Sequence, residues 1–142
     1  MAYWLLKTEP STYSYADLER DGTTVWDGVR NAQALIHIRA MRSGDEALIY
    51  HSGEQRAVIG AATIISEPYA DPRAGDPKLM VVDVQGTGRF DKPVGLAAIK
   101  VDAVFEGMAL VRQPRLSVMP VTHEQWDRLV ALARSTEPSS PG

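Results

Sequence analysis

The spacing of apolar and polar positions changes several times along the chain, and each change marks an element. Tyr3 to Lys7 is a short apolar and aromatic run stopped by Glu9-Pro10, which predicts a buried strand. Ser14 opens a short helix: Asp17 three residues on puts an acid where the helix dipole favours one, and Asp21-Gly22 ends it. Trp26 to Arg30 reads as a turn carrying a large aromatic. Asn31 is an N-cap for a second helix that runs to about Arg42, with Leu35, Ile38 and Met41 on one apolar face and Arg39 and Arg42 beside it. Ala47 to His51 and Ala57 to Ile65 predict a hairpin closed by Ser52-Gly53-Glu54-Gln55. The proline-rich stretch Glu67 to Lys78 reads as a long surface loop.

Leu79 to Val84 is the next predicted strand, with a break or bulge at Gly86 and Gly88 and a brief pairing at Pro93-Val94. Leu96 to Val101 and Ala103 to Glu106 form short helical turns. Leu116 to Val121 contains Pro120, which cannot donate to a ladder, so this strand belongs at an edge or an end. Thr122 with Gln125 is a capping box opening a last helix whose buried stripe is Trp126, Leu129, Val130 and Ala133. From Ser135 the polar tail predicts disorder over 135–142. About five or six strands with helices inserted between them predict an α+β fold around a small barrel, as one domain over 1–134.

Composition narrows the function classes. With 44% hydrophobic and 23% charged residues in 142, the chain is of ordinary globular type, which excludes collagen-like, coiled-coil and bulk-disordered classes. Its 15 Lys+Arg against 18 Asp+Glu leave a net charge of −3, which argues against coating nucleic acid by charge alone while permitting a local basic site. Cysteine is absent, so disulfides, thiol nucleophiles and cysteine zinc sites are excluded in this chain. His37, His51 and His123 are too widely spread for a metal-ligand spacing, and no cofactor is expected. The first residues lack the charged region and apolar length of a signal peptide, and no run reaches the roughly 20 apolar residues of a membrane span. A cytoplasmic, monomeric protein without membrane contact is expected.

Candidate chemistry is sparse. There is no Gly-x-Ser-x-Gly elbow, dinucleotide fingerprint or phosphate loop. His51 and Ser52 are neighbours at a strand end and point to opposite faces, so they do not form a natural catalytic pair. Glu9, Asp27 and Asp45 sit beside Gly or Pro, as turn formers and caps do. Of three tryptophans, Trp4 and Trp126 fall on buried faces. Trp26 precedes Asp27-Gly28 in a turn, so it either plugs the core or lines a pocket.

Several blocks then become recognisable in order. Tyr3-Trp4-Leu5-Leu6-Lys7-Thr8-Glu9-Pro10-Ser11-Thr12-Tyr13-Ser14 resembles the opening of the EVE domain family. Trp26-Asp27-Gly28-Val29-Arg30-Asn31-Ala32-Gln33-Ala34 resembles its second block, and Gly44-Asp45 with Leu48-Ile49-Tyr50-His51-Ser52 its third. Ile59-Gly60, Gly107-Met108-Ala109-Leu110 and Arg115-Leu116-Ser117-Val118 complete the resemblance, which runs from Tyr3 to about Arg134. His37-Ile38-Arg39 departs from the family pattern.

The resemblance implies a PUA-like fold, a small β-barrel with helices packed around it. It also implies a non-catalytic nucleic-acid-binding domain that reads a modified or flipped base, particularly modified cytosine in DNA. On that reading the base pocket is expected to use Trp26 as a stacking platform, with Lys7, Thr8, Glu9, Asn31, His51 and Ser52 around the base. Arg30, Arg115 and Ser117 are expected on phosphate and sugar. Alternatives are a reader of RNA modification, a small-ligand enzyme using Glu9 or His51 as acid/base, and a plain protein-interaction module.

Overall fold

Strand β1 (Tyr3–Thr8) is the apolar run nearest the N-terminus, and it is buried because both its edges are paired. It runs parallel to β3 (Glu46–His51) in the register Leu5↔Leu48 and Thr8↔His51. On its other side it runs antiparallel to β7 (Val118–Val121), with Trp4 opposite Pro120. β4 (Ala57–Ile64) returns antiparallel to β3, forming the expected hairpin. The computed structural model describes residues 1–134, so the disorder expected of 135–142 lies outside the described residues.

The glycine-containing stretch departs most from expectation. β6 (Met80–Gly95) is one 16-residue strand rather than two short ones. It pairs with β5 (Tyr69–Ala70), with β2 (Thr23–Trp26) and with β4 in turn. Gly86 and Gly88 lie in a stretch where the register against β4 shifts, between Ala61 and Ala62, and a second shift falls between Val58 and Gly60. A bulge bends the ladder without ending it. β5 lies inside the predicted loop and β2 inside what reads as a connection. Both are short and find their partners only on β6.

The sheet order is β2-β6-β4-β3-β1-β7, with β5 beside β6. It ends at β2 and β7, so the mixed α+β class holds but the expected closed small barrel is corrected to an open seven-stranded sheet. Pro120 on terminal β7 carries no N–H to offer a further strand, which suits an edge position.

Helices pack around this sheet where their caps begin them. α1 (Tyr15–Asp21) has the reciprocal Ser14/Asp17 capping box, and α5 (His123–Ala133) has the Thr122/Gln125 box. In α2 (Ala32–Ala40), the Asn31 side chain accepts the Ala34 N–H, and the helix ends two residues before the expected Arg42. α3 (Leu96–Lys100) and a 3₁₀ turn (Ala103–Phe105) match the expected helical turns, while α4 (Ala109–Arg112) is a single turn. On α5, Leu129 and Ala133 are buried, but Trp126 is only half-buried and stacks on Tyr3 with ring centroids 4.5 Å apart. Among the described residues, no helix is long and apolar enough to cross a membrane.

Candidate functional site

The end of β1, all of β2, the loop leading to α2, parts of the connection from β4 to β6, and Asp83 of β6 surround a cavity of about 940 Å³. A space of that size is at the upper end of those that bury small organic ligands. It exists because β2 lies at the end of the sheet, where no further strand covers it. On one wall, Val25 and Asp83 face each other across the β2/β6 ladder. Val25 is 42% exposed and Ile65, which flanks Asp83 on its other side, 39%, so apolar surface in the lining is left uncovered.

Trp26 also lines the cavity, although only 7% of it is exposed. Tyr13 meets it edge-on, with ring centroids 6.4 Å apart and planes at 90°. The indole is therefore a largely packed wall of the cavity, which leaves little of its surface exposed for the stacking expected of Trp26. Packing as an inward residue of β2 claims most of its surface before any ligand arrives.

The polar groups are held by neighbouring backbone. Lys7 Nζ donates to the Pro114 carbonyl at 2.8 Å and stands 5.6 Å from the Tyr50 ring centroid. Burial pushes the Lys7 ammonium below its ordinary pKa. The Thr8 hydroxyl donates to the Tyr13 carbonyl at 2.6 Å, and the Ser117 carbonyl accepts the Lys7 N–H at 2.9 Å. Opposite them, Tyr69 Oη donates to Asp83 Oδ1 at 2.5 Å. The charged side chains of the wall are balanced: Lys7, Arg30 and Arg73 against Asp27, Asp71 and Asp83.

The structure thus brings together Lys7, Thr8, Trp26, Arg30 and Ser117 of the expected site. The other five stand outside the lining. Glu9 is exposed after β1 and accepts hydrogen bonds from the backbone N–H and hydroxyl of Ser11, each at 3.2 Å. Asn31 is occupied as the cap of α2, its Oδ1 accepting the Ala34 N–H at 3.0 Å. His51 is buried; its Nε2 accepts the Tyr15 N–H at 2.9 Å, so Nδ1 carries the proton toward Gln55 Oε1 at 2.7 Å. The Nε2 bond holds the start of α1 and the Nδ1 bond holds the β3/β4 hairpin loop, so both ring nitrogens of His51 are engaged. Ser52 donates its N–H to the Thr8 carbonyl at 2.9 Å, so it ties β1 to the hairpin loop. Arg115 is exposed beside Pro114.

Sequence reasoning missed Val25, Ile65, Tyr69 and Asp83. Val25 and Asp83 sit on alternating strand positions, a pattern that announces a face but not the cavity it meets. Tyr69 lies in a stretch whose prolines read only as loop. Among the described residues, no group of three or more His, Asp and Glu is placed to hold a metal ion.

A family model described as the EVE domain matches residues 2–132. Mouse thymocyte nuclear protein 1 is 33% identical over 171 aligned positions, covering 96% of this chain and 75% of that protein. A protein from Rhodopseudomonas palustris solved by NMR is 40% identical, with a TM-score of 0.90 over 99% of each chain. Human THYN1, crystallised in complex with DNA containing 5-methylcytosine, is 31% identical, with a TM-score of 0.86 over 94% of this chain and 98% of that one.

Proposed function

This chain belongs to the EVE domain family, and from that premise we propose that it reads a modified nucleobase, without catalysis, in the cavity walled by Trp26, Val25 and Lys7. Modified cytosine in DNA is the favoured ligand, because a 31% identical human protein of the same fold is crystallised with DNA containing 5-methylcytosine. The observation that carries the reading is the cavity itself, in which apolar side chains left uncovered lie beside fixed hydrogen-bonding groups. Flipping a base from a duplex costs a few kcal/mol. A cavity with an apolar wall recovers part of that by excluding water from the base, and its polar groups then set which base fits. The acid/base alternative loses support because Glu9 stands outside the cavity and both His51 nitrogens are engaged.

Fluorescence titration tests this with single-stranded and duplex oligonucleotides that differ only in 5-methylcytosine or cytosine at one position. Tighter binding of the methylated strand is expected, by about fivefold or more, which corresponds to roughly 1 kcal/mol. Trp26→Phe keeps an aromatic wall while reshaping it, and is expected to reduce that preference. Trp26→Ala is a poorer probe because truncating a buried tryptophan removes about 3–5 kcal/mol of stability. Equal affinity for all bases, unchanged by Trp26→Phe, would overturn the proposal.

A further inference from the structure

Among the cavity's lining residues, Tyr69 and Asp83 form a side-chain hydrogen bond that involves none of the five expected residues. Asp83 sits on β6 with its backbone held on two sides: its N–H donates to Ser66 Oγ at 2.9 Å, and its carbonyl accepts the Ile65 N–H at 2.9 Å. Tyr69 Oη occupies one carboxylate oxygen, Oδ1, at 2.5 Å. Among the described residues, no hydrogen bond falls on Oδ2. The hydrogen bond to Asp83 first, and burial next, push the Tyr69 phenol up to about 12, so at neutral pH it remains a donor and Asp83 the acceptor. Val25 lies opposite Asp83 in the ladder and Ile65 follows in the wall, so the acceptor has exposed apolar groups beside it.

We propose that Asp83, braced by Tyr69, accepts the exocyclic amino group of the bound base, so that the cavity takes a 4-aminopyrimidine and rejects the matching 4-ketopyrimidine. This rests on the base-reading function above and assigns its selectivity. An ionised carboxylate is acceptor-only. Cytosine presents an N4 amino donor where thymine presents the O4 acceptor. Thymine therefore sets acceptor against acceptor in a partly dehydrated site, and neither group finds a partner. Val25 and Ile65 are the apolar surface against which a substituent at position 5 lies, and that substituent is common to 5-methylcytosine and thymine. Position 5 and position 4 are thus read by different residues.

The experiment uses the whole chain and four single-stranded oligonucleotides differing at one position: 5-methylcytosine, cytosine, thymine and an abasic site. Wild-type protein is expected to bind 5-methylcytosine at least about tenfold tighter than thymine. In Asp83→Asn the amide can donate to O4, so the ratio should fall to near one or invert. Tyr69→Phe leaves the carboxylate but removes its brace, and should lower the ratio partway, a change of preference that general loss of structure would not produce. Thermal unfolding checks that each variant is folded. If Asp83→Asn is not, the wild-type ratio and Tyr69→Phe decide. Equal binding of 5-methylcytosine and thymine, both above the abasic strand, would overturn the role of Asp83 while leaving base reading intact. So would a folded Asp83→Asn with the wild-type ratio. No base binding better than the abasic strand would overturn the base-reading function itself, and this inference with it.

Discussion

Asp45 lies buried between α2 and β3, where Oδ1 accepts the Ala2 N–H at 3.0 Å and Oδ2 accepts both the Trp4 indole N–H and the Arg42 N–H at 2.9 Å. Burial opposes its charge, but these three donors and the N-terminal amine outweigh it and hold the carboxyl below its ordinary value of 3.8. The unfolded chain therefore takes up the proton first. The stabilisation is complete above that ordinary value and lost as pH falls through the lower, folded one. Asp45→Asn should cost about 1–3 kcal/mol in urea unfolding at pH 7, and less at pH 3, because one acceptor becomes a donor facing N–H groups. A deficit that stays constant from pH 7 to pH 3 would contradict this assignment. At this scale the sequence marked Asp45 as a cap and Trp4 as core, but not that the two meet, since the pair is separated by 41 residues and joined only by the parallel β1/β3 ladder.

Gly60 shows the same limit for an element. A Cβ there would stand 2.7 Å from the Tyr15 ring and 2.8 Å from the Gly88 carbonyl oxygen, and neither a buried ring nor a ladder carbonyl yields cheaply. The glycine lets α1 lie on the β4/β6 bend, where Tyr15 Oη donates to the Ala61 carbonyl at 2.7 Å and accepts the Gly88 N–H at 2.9 Å. Gly60→Ala should destabilise the fold by about 1–3 kcal/mol in chemical denaturation, the usual cost of overpacking. An effect within a few tenths would show that the bend moves freely. Helix starts at Ser14, Asn31 and Thr122 were legible because capping is settled within four residues. β2, β5 and the continuity of β6 were not, because a strand two to four residues long is defined by its partner.

For the whole molecule, the net charge of −3 and the balanced charges of the cavity wall predict binding that owes little to counterion release. The cations of the cavity wall are Lys7, Arg30 and Arg73, with Asp27, Asp71 and Asp83 beside them. A plot of log affinity against log salt for a single strand should have a slope of about −1 to −2, and Arg30→Ala should reduce its magnitude by roughly 0.7 if that arginine meets a phosphate. A slope steeper than about −4 would place phosphate contacts well beyond this wall.

Taken alone, the sequence determined what is local or periodic: the capped helices, the β3/β4 hairpin, the apolar strand β1, the edge position forced by Pro120, and the ordered blocks that carry the family resemblance. Only the tertiary structure decided that the sheet stays open at β2 and β7 and that Trp26 is largely packed where it lines the cavity. The same holds for His51 serving α1 and for Asp83 and Tyr69 sharing a cavity with Lys7. The division follows from the range of the forces involved. Caps, turns and face periodicity are set by neighbours a few residues away. A cavity is made by strands distant in sequence, and its lining depends on ladder registers that no single segment contains.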